Sequence, residues 1–472
     1  MYWANFLHFY QPPTQKPYWV KKIANESYRK IVSGLLKNPK ARLTLNINAV
    51  LVELFKRDGC LDVVYGLKKL SERGQIEFTE TAKYHPFLPL MPEKEIIRQI
   101  HLNHRTNKRF FGKSYKPVGL FPTEMGYSPK ISRIAKKLGY KWIIIDELAH
   151  PDNKNMDRRA VYNMKNDPNF FFFFRERDIS FRILSAQVGI SVFSSKMLVE
   201  VLGERVNTNN YLVTAMDGET FGHHRPGLEN LLFDLYKVPQ IKSVTLSEIP
   251  ELFPDRSSVT PLSSSWALMQ RDIEHNTPFS RWNDKDNEIH QAQWTLTNTA
   301  IRLVNQLNPK LKSYKKIRHA LDRSLHSDQY WWASAMPWWS IEMIEAGAKE
   351  LRDVICMVPG QSQSTYQKAK DLYQSIIHSA FDWQRSGKVE NLARLADEDV
   401  TQRISIEMPY IPIKEFNNIV ANLSRQMLQA AKNKEYERAA QIRDRVIELE
   451  EKKKLLTTKH GIQRKKGSSS RR

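Results

Sequence analysis

Cysteine is nearly absent: Cys60 and Cys356 are the only two thiols in 472 residues. Two cysteines build neither a disulfide framework nor a zinc ribbon, and they fit a reducing cytosol. Long apolar runs are missing as well. The longest purely apolar block is the five phenylalanines at 170–174, far short of the roughly 18 residues a membrane span needs. The opening MYWANFLHFYQPP has no basic stretch ahead of a long apolar one, so no signal peptide is expected. These absences predict a soluble, cytoplasmic protein. Acidic residues are few beside basic ones, 51 against 73, giving a net charge of +22. Such an excess attracts polyanions. Here it is dispersed along the chain except in the tail KKKLLTTKHGIQRKKGSSSRR. A solvated basic surface is therefore expected, not specific nucleic-acid binding.

What is present supports a large core. Hydrophobic residues make up 41% and charged residues 26%, which excludes global disorder. The length allows roughly two to four domains. Eleven Trp, 18 Tyr and 21 Phe suit such a core and also suit platforms for sugar rings. Over the first 260 or so residues, short apolar runs alternate with amphipathic stretches such as SPKISRIAKKLG (128–139). The runs are WANFLHF (3–9), ARLTLNIN (41–48), QIEFTE (75–80), VGLFPTE (118–124), KWIIID (141–146), LVTAMD (212–217) and VTLSEI (244–249). Strands alternating with helices imply an α/β fold with a parallel sheet, either a closed barrel or an open doubly wound sheet. Polar residues end these runs: His8, Asn46, Asn48, Glu77, Glu80, Glu124, Asp146, Glu147 and Asp217. In a parallel barrel the C-terminal strand ends converge on one face, where a site lies.

From about 265 to 400 helical periodicity takes over, as in YWWASAMPWWSIEMIEAGAKEL (330–351). The division expected is a barrel over 1–265, a helical domain over 266–408, an αα-hairpin over 415–454 and a basic, disordered tail over 455–472. Pro409 and Pro412 mark the linker. In the hairpin, Ile419, Leu423 and Met427 share one face, and Tyr436, Ala439, Ile442, Val446 and Leu449 share another across the turn KNKE (432–435).

The segment TAMDGETFGHH (214–224) gathers two acids and two histidines at a strand end. Alone it reads as a solvated turn, because Asp and Gly are turn formers. A second carboxylate, Glu124, ends the strand-like GLFPTE before a turn at Gly126 and Pro129. Two carboxyls about 5 Å apart suffice for retaining glycoside hydrolysis, one as nucleophile and one as proton donor. Glu124 suits the nucleophile and Asp217 the acid/base, with its pKa raised by burial or by Glu124.

Five segments in this order resemble glycoside hydrolase family 57. LHFYQPP (7–13) resembles its first region, GQIEFTETAKYHPFLPL (74–90) its second, GLFPTEMGYSP (119–129) its third, MDGETFGHH (216–224) its fourth and LHSDQYWWAS (325–334) its fifth. FFFFRERDISFRI (171–183) is similar to a stretch between the third and fourth. The resemblance implies an incomplete (β/α)7 TIM-like barrel and action on α-1,4-glucans through a covalent glycosyl-enzyme. It implies Glu124 as nucleophile and Asp217 as acid/base, and no metal or cofactor. His8-Phe9-Tyr10 also lacks the acid that a His-x-Asp zinc site would need. His8, Gln11, His85, Glu219, His223, Asp328 and Trp331 are the implied substrate-binding residues. Trp266, Trp282 and Trp332 are further stacking candidates or core. Phe-Pro-Thr-Glu replaces the commoner Trp-Leu-Pro-Glu, and Gln329-Tyr330 replaces Trp-Pro, so hydrolase, 4-α-glucanotransferase and branching enzyme stay open. NKEYERAAQIRDRVIELE (433–450) resembles the UVR motif, which implies a protein partner. A non-catalytic glucan-binding adaptor is the alternative reading.

Overall fold

The computed structural model describes residues 1–185, 195–396 and 413–432, together with Tyr436, Ala439, Ala440, Ile442, Arg443, Asp444, Val446, Ile447 and Glu450. Ten strands are described: β1 (Tyr2–Phe9), β2 (Leu43–Ile47), β3 (Ile76–Thr79), β4 (Gly119–Leu120), β5 (Trp142–Asp146), β6 (Val161–Met164), β7 (Asp167–Arg175), β8 (Tyr211–Asp217), β9 (Lys242–Val244) and β10 (Arg256–Val259). Seven of them, β8-β1-β2-β3 and β4-β5-β7, curl into a ring of parallel strands. This settles the choice left open by the sequence in favour of an incomplete barrel over an open sheet.

The ring has two weak joints. Between β3 and β4, the Glu80 N–H donates to the Gly119 carbonyl and the Phe121 N–H to the Glu80 carbonyl, both at 2.8 Å. Between β7 and β8, the Glu176 N–H donates to Val213 O at 2.9 Å. The cause of the second joint is β6, which pairs antiparallel with the first part of β7 and so occupies that edge. Strand β10 then extends β6, and β9 pairs with β1 beside β2.

Strands of the ring are buried on both faces, so they read as continuous apolar runs. Their side chains still alternate. Ala4, Phe6, Ile144, Phe173, Val213 and Ala215 fill the interior, while Trp3, Leu7, Leu45 and Leu212 pack outward against helices. The same parity carries His8, Asp146, Arg175 and Asp217 to the C-terminal mouth of the ring.

Two sequence expectations fail locally. VTLSEI is not a strand throughout: β9 ends at Val244, and a 3-10 turn follows at Leu246–Glu248. Glu248 causes the turn by reaching back to accept the Thr245 N–H at 2.6 Å, half of a capping box. VGLFPTE is likewise strand only at Gly119–Leu120, whereas the stretch 330–351 is helical in two pieces. A short helix ends at Trp331, Pro337 interrupts the chain, and a new helix starts at Ile341, capped by Ser340. The five phenylalanines, read only as an apolar block, form β7.

Beyond the strands, helices Glu288–Asn305, Tyr314–Ser324, Ile341–Met357 and Gln363–Arg385 share one core with the outer face of β4, β5 and β7. Arg318 ties this region to helix Glu93–Phe111. Its guanidinium donates to Glu95 and to Asp322 (3.0 Å), and Asp322 also accepts from Arg98 (2.6 Å). In the hairpin, helix Ile413–Lys432 packs Leu423, Val420, Met427 and Ala430 against Ala439, Ile442 and Val446. The linker at Pro409 and Pro412, the turn residues 433–435, Leu449 and the basic tail lie outside the described residues, and the side chain of Ile419 is not described either. Among the described residues no helix is long and apolar enough to cross a membrane.

Candidate active site

The mouth of the ring is built from in-register neighbours. Asp217 pairs with His8, His8 with Asn46, and Asn46 with Thr79. A directional hydrogen-bond chain runs along this level. The His8 Nδ1–H donates to Asn46 Oδ1 at 2.7 Å, and the Asn46 amide donates to Thr79 Oγ1 at 3.1 Å. That leaves His8 Nε2 as an acceptor, so the His85 Nε2–H donates to it at 3.1 Å. His85 Nδ1 then accepts from the Ser327 hydroxyl at 2.9 Å. This assignment makes both imidazoles neutral. Burial pushes both pKa values down, His85 to about 4.

Glu124 lies four residues past β4, inside the 3-10 turn Thr123–Met125. Its backbone is left-handed (φ 60°, ψ 20°), and Met125 follows at φ 48°. A non-glycine residue held there is strained and must be pinned by its surroundings. The pins come from the segment 264–266: Tyr127 and Ser264 exchange backbone hydrogen bonds, and the Trp266 N–H donates to Glu124 O at 3.1 Å. The Trp266 indole N–H also donates to Glu124 Oε2 at 2.7 Å. His85 Nδ1 lies 3.7 Å from Oε1. With 18% of its side chain exposed, Glu124 lies deep in the cleft.

Three carboxyls gather here, and burial raises all of them. Glu124 is pushed up to about 8, with the charge of Asp217 adding to the effect of burial. Asp217 is pushed up to about 6, opposed by Arg175. Glu219 is pushed up to about 8 by burial and by Asp217. Glu219 accepts from Gln11 Nε2 at 2.9 Å and from the Tyr28 hydroxyl, and Gln15 in turn donates to Gln11 Oε1 at 2.8 Å. Arg175 is fixed by Asp146 (3.0 Å) and by the Ala215 carbonyl (2.8 Å).

Asp328 moves the other way. Burial alone would raise its pKa, but a hydrogen bond and charge from His326 outweigh that and hold it below the usual carboxylate range. The Tyr10 hydroxyl donates to Asp328 Oδ2 at 2.5 Å, and the Tyr10 ring stacks on His85 with centroids 3.9 Å apart.

The structure thus brings together His8, Gln11, His85, Glu124, Asp217, Glu219 and Asp328 from both the ring and the helical region. His223 sits at the rim, with Nδ1 turned to Glu26 Oε2 at 2.6 Å. Trp331 is half-buried, its ring 5.3 Å from that of Trp282. Trp282 is fully buried and stacks on Phe87, so it is core. Glu77, inside β3, and Glu80, just after it, do not join the site, although the sequence offers both among its polar run ends. Glu77 accepts from Ser247 and Thr44, and Glu80 accepts from Asn103, Tyr115 and His104. Sequence reasoning missed Tyr10, Tyr28, Arg175, His326 and Ser327 as site residues. Arg175 was findable, since it follows Phe173 on the inward parity. Among the described residues no group of three His, Cys, Asp or Glu side chains is placed to hold a metal ion.

Residues 417–452 match the UvrB/uvrC motif. The chain is 26% identical over 141 residues to an alpha-amylase of Pyrococcus horikoshii, covering 30% of this chain and 22% of that protein. It therefore spans about a fifth of the length of that relative. A branching enzyme from Thermococcus kodakaraensis superposes with a TM-score of 0.63 at 14% identity, covering 79% of this chain and 95% of that one. The 4-alpha-glucanotransferase of Thermococcus litoralis superposes with a TM-score of 0.57 at 16% identity, covering 76% of this chain and 59% of that one. These two show a shared fold. The model of glycosyl hydrolase family 57 matches residues 7–259, more than half of the chain, and the chain belongs to that family.

Proposed function

We propose that the protein is a retaining enzyme acting on α-1,4-glucans, with Glu124 as nucleophile and Asp217 as acid/base. The observation that carries this is the placement of both carboxyls at the ring mouth, within reach of each other's charge, with the Trp266 N–H aimed at one Glu124 oxygen. Relatives named alpha-amylase, 4-alpha-glucanotransferase and branching enzyme support the substrate class.

Glu124 attacks the anomeric carbon as a carboxylate while Asp217 gives its proton to the departing glycosidic oxygen. The reaction thus needs the pair to carry one proton, on Asp217. Burial raises both carboxyls in the protein alone, and bound substrate sets which of the two holds the proton. A sugar oxygen that accepts from Asp217 favours its acid form. An anomeric carbon gaining positive charge favours the Glu124 carboxylate. The Trp266 N–H adds to the second effect by donating to the charged form. Water or a sugar hydroxyl then resolves the glycosyl-enzyme, with Asp217 as base. His8, Gln11, His85, Glu219 and Asp328 hold hydroxyls, and His223 and Trp331 serve outer positions.

The rest of the reading concerns organisation. Barrel, helical domain and hairpin divide near 265 and 408–415. The enzyme works in carbohydrate metabolism in the cytoplasm, which its unpaired Cys60 and Cys356 fit. The hairpin docks a protein, supported by the motif match and by the exposed Leu428, Tyr436 and Ile447.

Product analysis on maltoheptaose tests the assignment, comparing wild type with Glu124→Gln and Asp217→Asn. New reducing ends mean hydrolysis. A ladder of longer chains at constant reducing ends means transfer. Each variant is expected to lose at least about a thousandfold. Undiminished turnover by either variant would refute the assigned pair.

A further inference from the structure

His326 is the group in this region whose surroundings cannot be met by a neutral side chain. Its ring is buried, with 1% of the side chain exposed. Nδ1 lies 3.1 Å from Asp328 Oδ2, and Nε2 faces Glu350 Oε2 at 3.7 Å. A neutral imidazole carries one N–H and one lone pair. Whichever nitrogen held the lone pair would point it at a carboxylate. Only the imidazolium, with an N–H on each nitrogen, suits both neighbours. The Nε2 and Oε2 atoms are also buried without another hydrogen-bond partner, so each is the natural complement of the other.

The partners of this cation lead to the cleft on one side and to the first loop on the other. Asp328 Oδ2 is shared between His326 and the Tyr10 hydroxyl. Glu350 accepts from Arg323 Nε at 3.1 Å, and another Arg323 nitrogen donates to Pro13 O at 3.0 Å. Tyr10 and Pro13 bracket Gln11, which reaches Glu219. One buried charge therefore fixes a carboxylate in the site and, through Glu350 and Arg323, the loop that carries Tyr10 and Gln11.

We infer that His326 is a positioning residue: as an imidazolium clamped between Asp328 and Glu350, it holds Asp328 ionised and oriented to accept from a glucan hydroxyl. This rests on the α-glucan reading above. The groups that face His326 are Asp328, Glu350 and Arg323, with neutral His85 and the Tyr10 hydroxyl next beyond. The two carboxylates outweigh burial and Arg323, and the His326 pKa is raised. The cation is lost as pH rises through that raised value.

Two measurements on the full chain test this. Imidazole nitrogen NMR, with the signal assigned by its loss in His326→Gln, is expected to show His326 doubly protonated at pH 7 and its midpoint lowered in Glu350→Gln. A singly protonated ring at pH 7 overturns the proposal, and this readout stands even if the chain cuts no glucan. In steady-state kinetics on malto-oligosaccharides, His326→Gln is expected to raise KM roughly tenfold with kcat within about threefold, the scale of one charge-assisted hydrogen bond. Glu350→Gln is expected to move the alkaline rise of KM to lower pH. Equal KM profiles in wild type and Glu350→Gln from pH 6 to 9 also overturn the proposal, and that variant keeps the test open if His326→Gln does not fold.

Discussion

Replacing Glu124 by Gln should make the protein more stable at alkaline pH, whatever it does to activity. The folded state raises the Glu124 pKa from 4.5 to about 8. A carboxyl whose pKa is higher in the folded state binds more protons there than in the unfolded chain. Its contribution to stability is then full below pH 4.5 and declines as pH rises towards 8. At about 1.36 kcal/mol per pKa unit, the whole loss is about 5 kcal/mol. Part of it belongs to the pair, because Asp217 is raised in the same place, so about 3–5 kcal/mol is the expected effect of Glu124 alone. Gln keeps an oxygen for the Trp266 N–H and removes the titration. Urea unfolding of both proteins at pH 5, 6.5 and 8, followed by tryptophan fluorescence, reads the difference. Near pH 5 the two should be close, and the gap should then widen by about 1.4 kcal/mol per pH unit. A gap that stays constant from pH 5 to 8 would mean that Glu124 titrates as an ordinary exposed carboxyl, and the electrostatic picture of the site would be wrong.

Trp266→Phe removes the indole N–H that donates to Glu124 Oε2 while leaving the backbone bond to Glu124 O. A hydrogen bond to a charged group contributes about 1.5–3 kcal/mol, so kcat/KM on an aryl malto-oligoside should fall about 10- to 100-fold, and its lower pH limb should move up by about one to two units. An unchanged limb would deny Trp266 this role. Arg318→Met strips the buried cation from Glu95 and Asp322, which should cost about 3–5 kcal/mol. A fall of only a degree or two in the melting temperature would show that water replaces the guanidinium.

Much of the ring was legible because parallel strands are short, apolar and punctuated by polar ends. The structure adds parity: Phe6 to His8 and Ala215 to Asp217 are steps of two, so an inward apolar residue is followed by an inward polar one at the mouth. The rule fails when the final polar residue has the wrong parity or the strand stops early. Glu80 leaves β3 outward towards Tyr115 and Asn103. Glu124 follows a two-residue strand and is placed by a left-handed turn, which no alternation foretells. The segment 244–249 shows a different limit. Its apolar character says strand, but Thr245 and Glu248 close a capping turn, and three residues decide what six suggested.

What could not be read is what arrives from far along the chain. Trp266 meets Glu124 and Ser327 meets His85 across long stretches of chain, with the helical region anchored by the Ser327 N–H on the His85 carbonyl (2.9 Å) and by the Arg318 network, and His326 arrives with Asp328 two residues away. That arrangement also sets the chemistry. Glu124, Asp217 and Glu219 are carboxyls of the barrel side, desolvated, with Arg175 opposing the effect at Asp217, and their pKa values go up. Asp328 is equally buried, but it comes with the helical region and carries His326 beside it, and its pKa goes down. One side of the cleft therefore favours the protonated carboxyl and the other the carboxylate. On the proposed reading, a glycosidic bond placed between them would meet a proton donor on the barrel side and an oriented acceptor for its hydroxyls on the other. Neither half supplies both, so the proposed site requires the helical region as much as the ring.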